Sequence, residues 1–216
     1  MFNLIRTQFK TFIYPSGKVH QQYLNYILWS SISNIIFSIE NVISTHSMLS
    51  VVGKASTELT LSVNFIGKDL IGQIGSITFM NRMSKNADKN PHKFIKDSMI
   101  LHQSSIFLQS CTPLLPLEFF IPTAGFSNIM INISFTGFGA INAKIISILA
   151  QENNIGEIYS KLTLINTTSS SIGMGLGLLI VGFIPDHTTR LFILPLLAII
   201  RIASYKKSIH GIISYN

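Results

Sequence analysis

Charge is scarce in this chain: Asp, Glu, Lys and Arg make up 12% of its 216 residues, about half the share of an average soluble domain. So little charge does not readily cover a water-facing surface of this size, which argues against an ordinary cytosolic enzyme. With 47% hydrophobic residues and a mean hydropathy of +0.44, the chain also lacks the polar, highly charged composition of a disordered protein. Cysteine is nearly absent. Cys111 stands alone, which excludes an intrachain disulfide framework and a multi-cysteine zinc site. No acid occurs before Glu40. No long apolar h-region precedes the turn signal Tyr14-Pro15-Ser16-Gly17, so a secretory signal is not indicated. The acid-free start is compatible with a weak organellar presequence; the preferred reading of residues 1–22 is a basic tail and turn on the cytosolic side.

The charge that is present is mostly positive, a formal +7. A nucleic-acid partner would need Lys and Arg concentrated on a soluble domain. Here they sit between apolar stretches: Arg6, Lys10 and Lys18, then Arg82 to Lys96, then Arg201 to Lys207. Basic loops between apolar segments are the positive-inside pattern. The expected partner is therefore a lipid bilayer and not nucleic acid.

Six apolar segments follow. The first, Tyr23–Val52, opens on the aromatic cluster Tyr23, Tyr26 and Trp29, then repeats Ile32, Ile35, Ile36, Ile39, Val42 and Ile43 at helical steps. Its other face carries Ser30, Ser33, Asn34, Asn41, Thr45 and His46, which need protein neighbours or water. The second, residues 59–80, is interrupted by Lys68-Asp69, Gly72 and Gly75. Residues 81–97 read as a polar basic loop or surface helix, with a short helix starting at Pro91. The third, residues 98–124, is broken by Pro113 and Pro116, so a kink or two half-helices is expected. The fourth covers residues 126–150, ahead of a turn at Asn153-Asn154-Ile155-Gly156. The fifth begins near Tyr159 and contains Gly173, Gly175 and Gly177; the sixth covers residues 191–205. The fold class is all-α, a single domain of about five to six apolar helices in a membrane-associated bundle, some kinked by proline.

Few motifs carry chemistry. The run Gly173, Gly175, Gly177 lies inside an apolar stretch, without the strand and helix that a dinucleotide loop needs, so close helix packing is the better reading. Gly72 and Gly75 read the same way. The sequons at Asn132 and Asn166 lie in or beside apolar segments and read as chance matches. The six His residues are dispersed, with no metal-ligand spacing, and Cys111 reads as a buried apolar thiol. No metal, cofactor or catalytic residue is expected. Lys68-Asp69 is the sharpest local feature: either a buried polar centre on an ion, proton or ligand path, or a helix break or structural ion pair holding two helices. Adjacent side chains diverge by about 100° on a helix, so partners on other segments are expected, with Glu40, His46 and Lys144 as candidates.

Taken in order, these residues resemble the root UVB sensitive proteins. Tyr14-Pro15, Val19, Tyr23, Tyr26, Leu28 and Trp29 resemble the family's opening. Ile43-Ser44-Thr45, Leu49 and Val52-Gly53 resemble its L-S-T segment. Phe65, Lys68-Asp69, Gly72 and Gly75 resemble W-x-x-K-D-x-x-G-x-x-G. Pro113 and Pro116 fit its P-x-x-P step, and Gly139-Ala140 its G-A-T-R-A-A motif. Asn154, Glu157 and Lys161 resemble N-x-x-D-x-x-x-K. Gly173, Gly177, Ala203, Tyr205 and Asn216 resemble the last two helices. The chain departs from the pattern where Asn142 replaces the Arg of G-A-T-R, where Phe94-Ile95 replaces Trp-Arg, and where Leu164-Ile165-Asn166 replaces S-Q-E. The resemblance implies a helical membrane-associated domain with a regulatory or homeostatic role, linked in plants to vitamin B6 status, auxin distribution and the UV-B response. It implies homo- or hetero-oligomers with related family members, and it transfers no catalytic residue.

Three readings remain open at this point: a non-catalytic multi-pass membrane protein with a transport-like or scaffold role, a peripheral helical protein binding an apolar or vitamin-like ligand, and a membrane-embedded enzyme. Six segments would place both termini and residues 81–97 on one side. Residues 151–161 should share that side, against their slight acidity.

Overall fold

The computed structural model describes residues 12–52, 66–77 and 89–213. Among them are six helices and no strand: α1 Tyr23–Val52, α2 at residues 66–77, α3 Pro91–Ser110, α4 Phe120–Leu149, α5 Ile155–Phe183 and α6 His187–Ile209. The expected all-α architecture is observed.

The helix ends follow local chemistry. α3 starts where Pro91 occupies the first turn and the Asn90 side chain accepts from the Lys93 N–H at 3.2 Å. Its start at Pro91 is where a short helix was expected, but the helix is longer than that reading. The helix runs for 20 residues because its polar side chains turn inward onto other helices. Pro113 and Pro116 then enforce the 3₁₀ turns Thr112–Leu114 and Leu117–Phe119, after which α4 begins. The proline break is where it was expected, but the apolar run 98–124 is split between α3 and α4. Asn153 takes the left-handed conformation, φ 55°, in the α4–α5 turn, a position that Asn tolerates better than most residues. α5 and α6 are longer than their expected segments. At the start of α6, the Thr189 hydroxyl and N–H both donate to Asp186 at 2.7 Å and hold its carboxyl below the usual range.

α1 is the centre of the assembly. It packs most extensively on α5 and α6, and also touches α3, which pairs with α4. Glycines make the α1–α5 seam close. A Cβ on Gly173 would overlap the Ile35 carbonyl oxygen and lie 2.8 Å from the Ser38 Cβ; one on Gly177 would lie 2.8 Å from the Val42 Cβ. Ser38 meets Ser170 at 2.6 Å and Asn34 donates to Asn166 at 2.7 Å along the same seam. Gly175 faces the other way, with nothing within 4 Å of its Cβ position. It is not a packing glycine: two residues along a helix is about 200° of rotation. The Asn166 side chain is half-buried in this seam.

The bundle has two ends. At one, His20 N–H donates to the Leu149 carbonyl at 3.0 Å, Val19 bridges Ala150, and the His92 Nε2 lies 3.2 Å from the Ile213 carbonyl. The described N-terminal turn, the start of α3, the α4–α5 turn and the end of α6 therefore share this end. Lys18, Lys89, Lys93, Lys96, Lys144, Lys161, Lys206 and Lys207 all lie at or near it. The opposite end carries the 3₁₀ turns and the α5–α6 turn. An isoleucine-rich core, including Ile141, Ile145, Ile158 and Ile209, fills the basic half. A smaller cluster of Ile39, Ile43, Ile106, Leu194 and Leu197 fills the middle.

Among the described residues, four helices are long and apolar enough to cross a membrane: Tyr23–Val52, Leu117–Leu149, Ile155–Phe183 and His187–Ile209. Each exceeds the roughly 20 residues a span needs. Their outer faces are apolar as well, with Phe183 82% and Phe192 77% exposed.

Candidate functional site

Most of the polar face of α1, the exposed Thr45 apart, is covered by protein. It turns into the bundle, where α3, α4, α5 and α6 converge on it. At the centre, Glu40 of α1 is fully buried and Arg201 of α6 nearly so. Arg201 Nη1 donates to Glu40 Oε2 at 3.1 Å and to His102 Nδ1 at 2.8 Å. Gln103 Nε2 donates to the same Glu40 oxygen at 3.2 Å. Arginine can only donate, so His102 Nδ1 accepts and the neutral ring carries its proton on Nε2. The rings of Phe37 and Phe138 lie 4.6 Å and 5.9 Å from the guanidinium carbon. A delocalised, weakly hydrated cation suits such aromatic surroundings better than an ammonium would.

Three polar atoms of this cluster have no hydrogen-bond partner among the described residues: Glu40 Oε1, His102 Nε2 and Arg201 Nε. Native interiors leave few such groups, and each needs an explanation. Beside them is a cavity of about 270 Å³ lined by Tyr26, Ser30, Ser33, Asn34, Phe37, Asn142, Asn166, Arg201 and Tyr205, among others. Its walls combine aromatic faces with hydroxyl and carboxamide groups. Tyr26 donates to Asn142 Oδ1 at 3.1 Å across it. Chemically, such a chamber can hold a small polar, ring-containing solute. Among the described residues no group of three His, Cys, Asp or Glu side chains comes together to hold a metal, and burial pushes the Cys111 thiol up, away from thiolate chemistry.

The residues singled out in the sequence lie elsewhere. Lys68 pairs with Asp69 itself, at 2.6 Å. Flexible side chains bridge the angular offset that was expected to keep them apart. The Asn128 side chain donates to Asp69 Oδ1 at 2.9 Å and to the Lys68 carbonyl at 3.1 Å. Gly72 packs on Asn128 and Gly75 on Ile129, so this motif docks α2 on α4. Of the suggested partners, Glu40 pairs with Arg201, and His46 accepts from Arg190 at 2.8 Å. The Asp69 side chain is 53% exposed, which removes it from the deep interior.

Several other motif residues gather at the basic end. Ser16 donates through its N–H and hydroxyl to the Glu157 carboxylate at 2.9 Å and 2.7 Å. Asn154 donates to the Lys18 carbonyl at 3.0 Å, and Tyr23 to the Ile13 carbonyl at 2.9 Å. Lys161 lies near Glu157, one turn along α5. Together they latch the N-terminal turn onto the start of α5. Trp29 lies under the Lys207 ammonium. Ser44 is buried and bonds the Asn41 carbonyl, while Thr45 is exposed beside the α1–α5 seam.

Comparison with known proteins decides the family. The vitamin B6 photo-protection and homoeostasis domain family matches residues 3–213, nearly the whole chain. The chain belongs to this family, the root UVB sensitive proteins. The chain is 25% identical over 179 residues to RUS family member 1 of Dictyostelium discoideum, covering 82% of this chain and 34% of that protein. It is 27% identical over 186 residues to Protein root UVB sensitive 5 of Arabidopsis thaliana, covering 80% and 36%. The chain thus spans about a third of the length of the curated relatives it matches. No solved structure matches it. Two of the positions at which it departs from the root UVB sensitive pattern, Asn142 and Asn166, line the central cavity. Both side chains there are neutral carboxamides.

Proposed function

We propose that the chain is a non-catalytic, multi-pass membrane protein with a homeostatic, transport-like role, and that its working centre is the chamber beside Glu40, His102 and Arg201. One observation carries this reading: a buried ion pair with unpartnered polar atoms beside a cavity, inside a bundle whose long helices are apolar outside. Ionisable groups at that depth are costly and typically mark solute or ion paths. The family description names vitamin B6 homoeostasis. A vitamin B6 compound, a single pyridine ring with hydroxyl substituents, matches the size and chemistry of this chamber. No cofactor is part of the proposal. Homo- or hetero-oligomers with related family members are.

The test is binding in detergent. Pyridoxine and pyridoxal should each raise the thermal midpoint of the purified protein, and Asn142→Leu should abolish the shift while the protein stays folded. No shift with any vitamer rejects the ligand. The peripheral alternative is decided separately, since release of the protein by alkaline carbonate without detergent would reject the membrane reading.

A further inference from the structure

A second polar site lies at the basic end, away from the central chamber. A groove of about 460 Å³ runs between the start of α1 and the end of α6, lined by Gln22, Asn25, Trp29, Lys206, Lys207 and His210. Gln22, Asn25 and Trp29 recur at steps of three and four, so they present one face. The Lys207 ammonium stands 4.2 Å from the centre of the Trp29 ring, and Asn25 donates to the Lys207 carbonyl at 3.0 Å. These contacts fix the last turn of α6 against α1 and hold one cation at the groove wall. Lys206 and His210 are exposed beside it. Among the described residues, no carboxylate lines the groove.

We propose that this groove holds the phosphate headgroup of an anionic phospholipid. The proposal rests on the membrane reading above. Two ammonium groups and the amides of Gln22 and Asn25 supply donors for a phosphate diester, and Trp29 has the amphipathic ring found at bilayer interfaces. What selects a lipid over free phosphate is the surface beneath. Ala203, Ile200 and Leu196 follow Lys207 at four, seven and eleven residues back along α6 and are all exposed. That spacing makes one apolar stripe running from the groove toward the middle of the span. The stripe receives an acyl chain while the lysines hold its headgroup. The groove sits at the end where the basic residues cluster, so attraction to an anionic leaflet and specific binding act in the same place.

The experiment uses the full chain in nanodiscs of phosphatidylcholine with and without phosphatidylglycerol, with native mass spectrometry counting retained phosphatidylglycerol. The intact protein should retain phosphatidylglycerol in preference to phosphatidylcholine. Lys206→Gln with Lys207→Gln should lower that preference by about fivefold for each lysine removed, and Lys206→Arg with Lys207→Arg should restore it. A matched pair at the same end, Lys93→Gln with Lys96→Gln, should leave it unchanged. Equal loss in both pairs would mean diffuse surface attraction and overturn the site. Absence of any preference in protein that does embed overturns the inference but leaves the membrane reading standing. Inorganic phosphate that stabilises the detergent-solubilised protein as well as phosphatidylglycerol does would show that the groove takes free phosphate, and would also overturn the proposal.

Discussion

Two arginines on α6 are buried to nearly the same degree but are treated differently. Arg201 has a carboxylate, Glu40, at 3.1 Å. Arg190, eleven residues earlier on the same helix, makes no salt bridge among the described residues: it donates to His46 Nδ1 and His187 Nδ1 at 2.8 Å each and to the Pro185 carbonyl at 3.1 Å, with the Asp186 carboxylate acting on it only at longer range. Arg201 lies in the middle of the bundle beside the cavity, where a charge without a counter-charge is expensive. Arg190 lies in the first turn of α6, where its head reaches backbone and imidazole acceptors near the bundle rim. Burial alone therefore does not dictate a salt bridge. Depth does, and the deep arginine is the one placed beside a chamber.

The sharpest way to break this contrast is to strand one partner at depth. Glu40→Leu should cost about 3–5 kcal/mol, because Arg201 keeps its charge and loses its partner. Adding Arg201→Met should recover most of that loss in detergent-solubilised thermal unfolding. A double variant no better than Glu40→Leu alone would mean that the pair is not the coupled unit described here. Arg190→Met should cost less, about 1–3 kcal/mol, since it leaves neutral acceptors unpaired but no stranded charge. If Arg190→Met costs as much as Glu40→Leu, depth is not what separates the two arginines. Both partners on α1 are held by the α5 seam, so glycine substitutions sharpen the comparison. Gly173→Leu should press α1 near Glu40 and Gly177→Leu near His46, each for about 1–3 kcal/mol of overpacking. Gly175→Leu should leave unfolding unchanged. The smallest effect belongs to Asp69→Asn. The Asp69 side chain is 53% exposed and that of Lys68 10%; the exposed carboxylate keeps the expected loss to about 0–1 kcal/mol, and a larger fall in unfolding temperature would mean that the buried Lys68 depends on its counter-charge.

Much of the bundle was legible because apolar periodicity and turn chemistry are local signals. Pro91, Pro113, Pro116 and Asn153 each mark a boundary the chain obeys. The central site was not legible in that way. Arg201 stands between Ile200 and Ile202 at the end of an apolar run, where it counts equally as a topology-setting cation. Glu40 is a lone acid in an apolar helix. Each was visible as an ionisable residue in an apolar setting, the signal by which they were open to being found. That they meet is tertiary information, because 161 residues separate them. Lys68-Asp69 drew attention because the two are neighbours in sequence, yet their contact is local. The departures at Asn142 and Asn166 were visible as isolated changes; only the fold brings both to one cavity.

The separation of Glu40 from Arg201 also bears on how the protein is made. At translation speeds of about 5–20 residues per second, α6 emerges some ten to thirty seconds after α1. In a membrane-inserted chain, Glu40 must wait through that interval without the guanidinium that later neutralises it. Ser16 waits almost as long for Glu157, 141 residues downstream. The nascent first helix therefore carries a deep acid and an unlatched leading end until the last helices arrive. An insertion chaperone or translocon that shelters α1 during synthesis would act on the one helix around which everything else assembles.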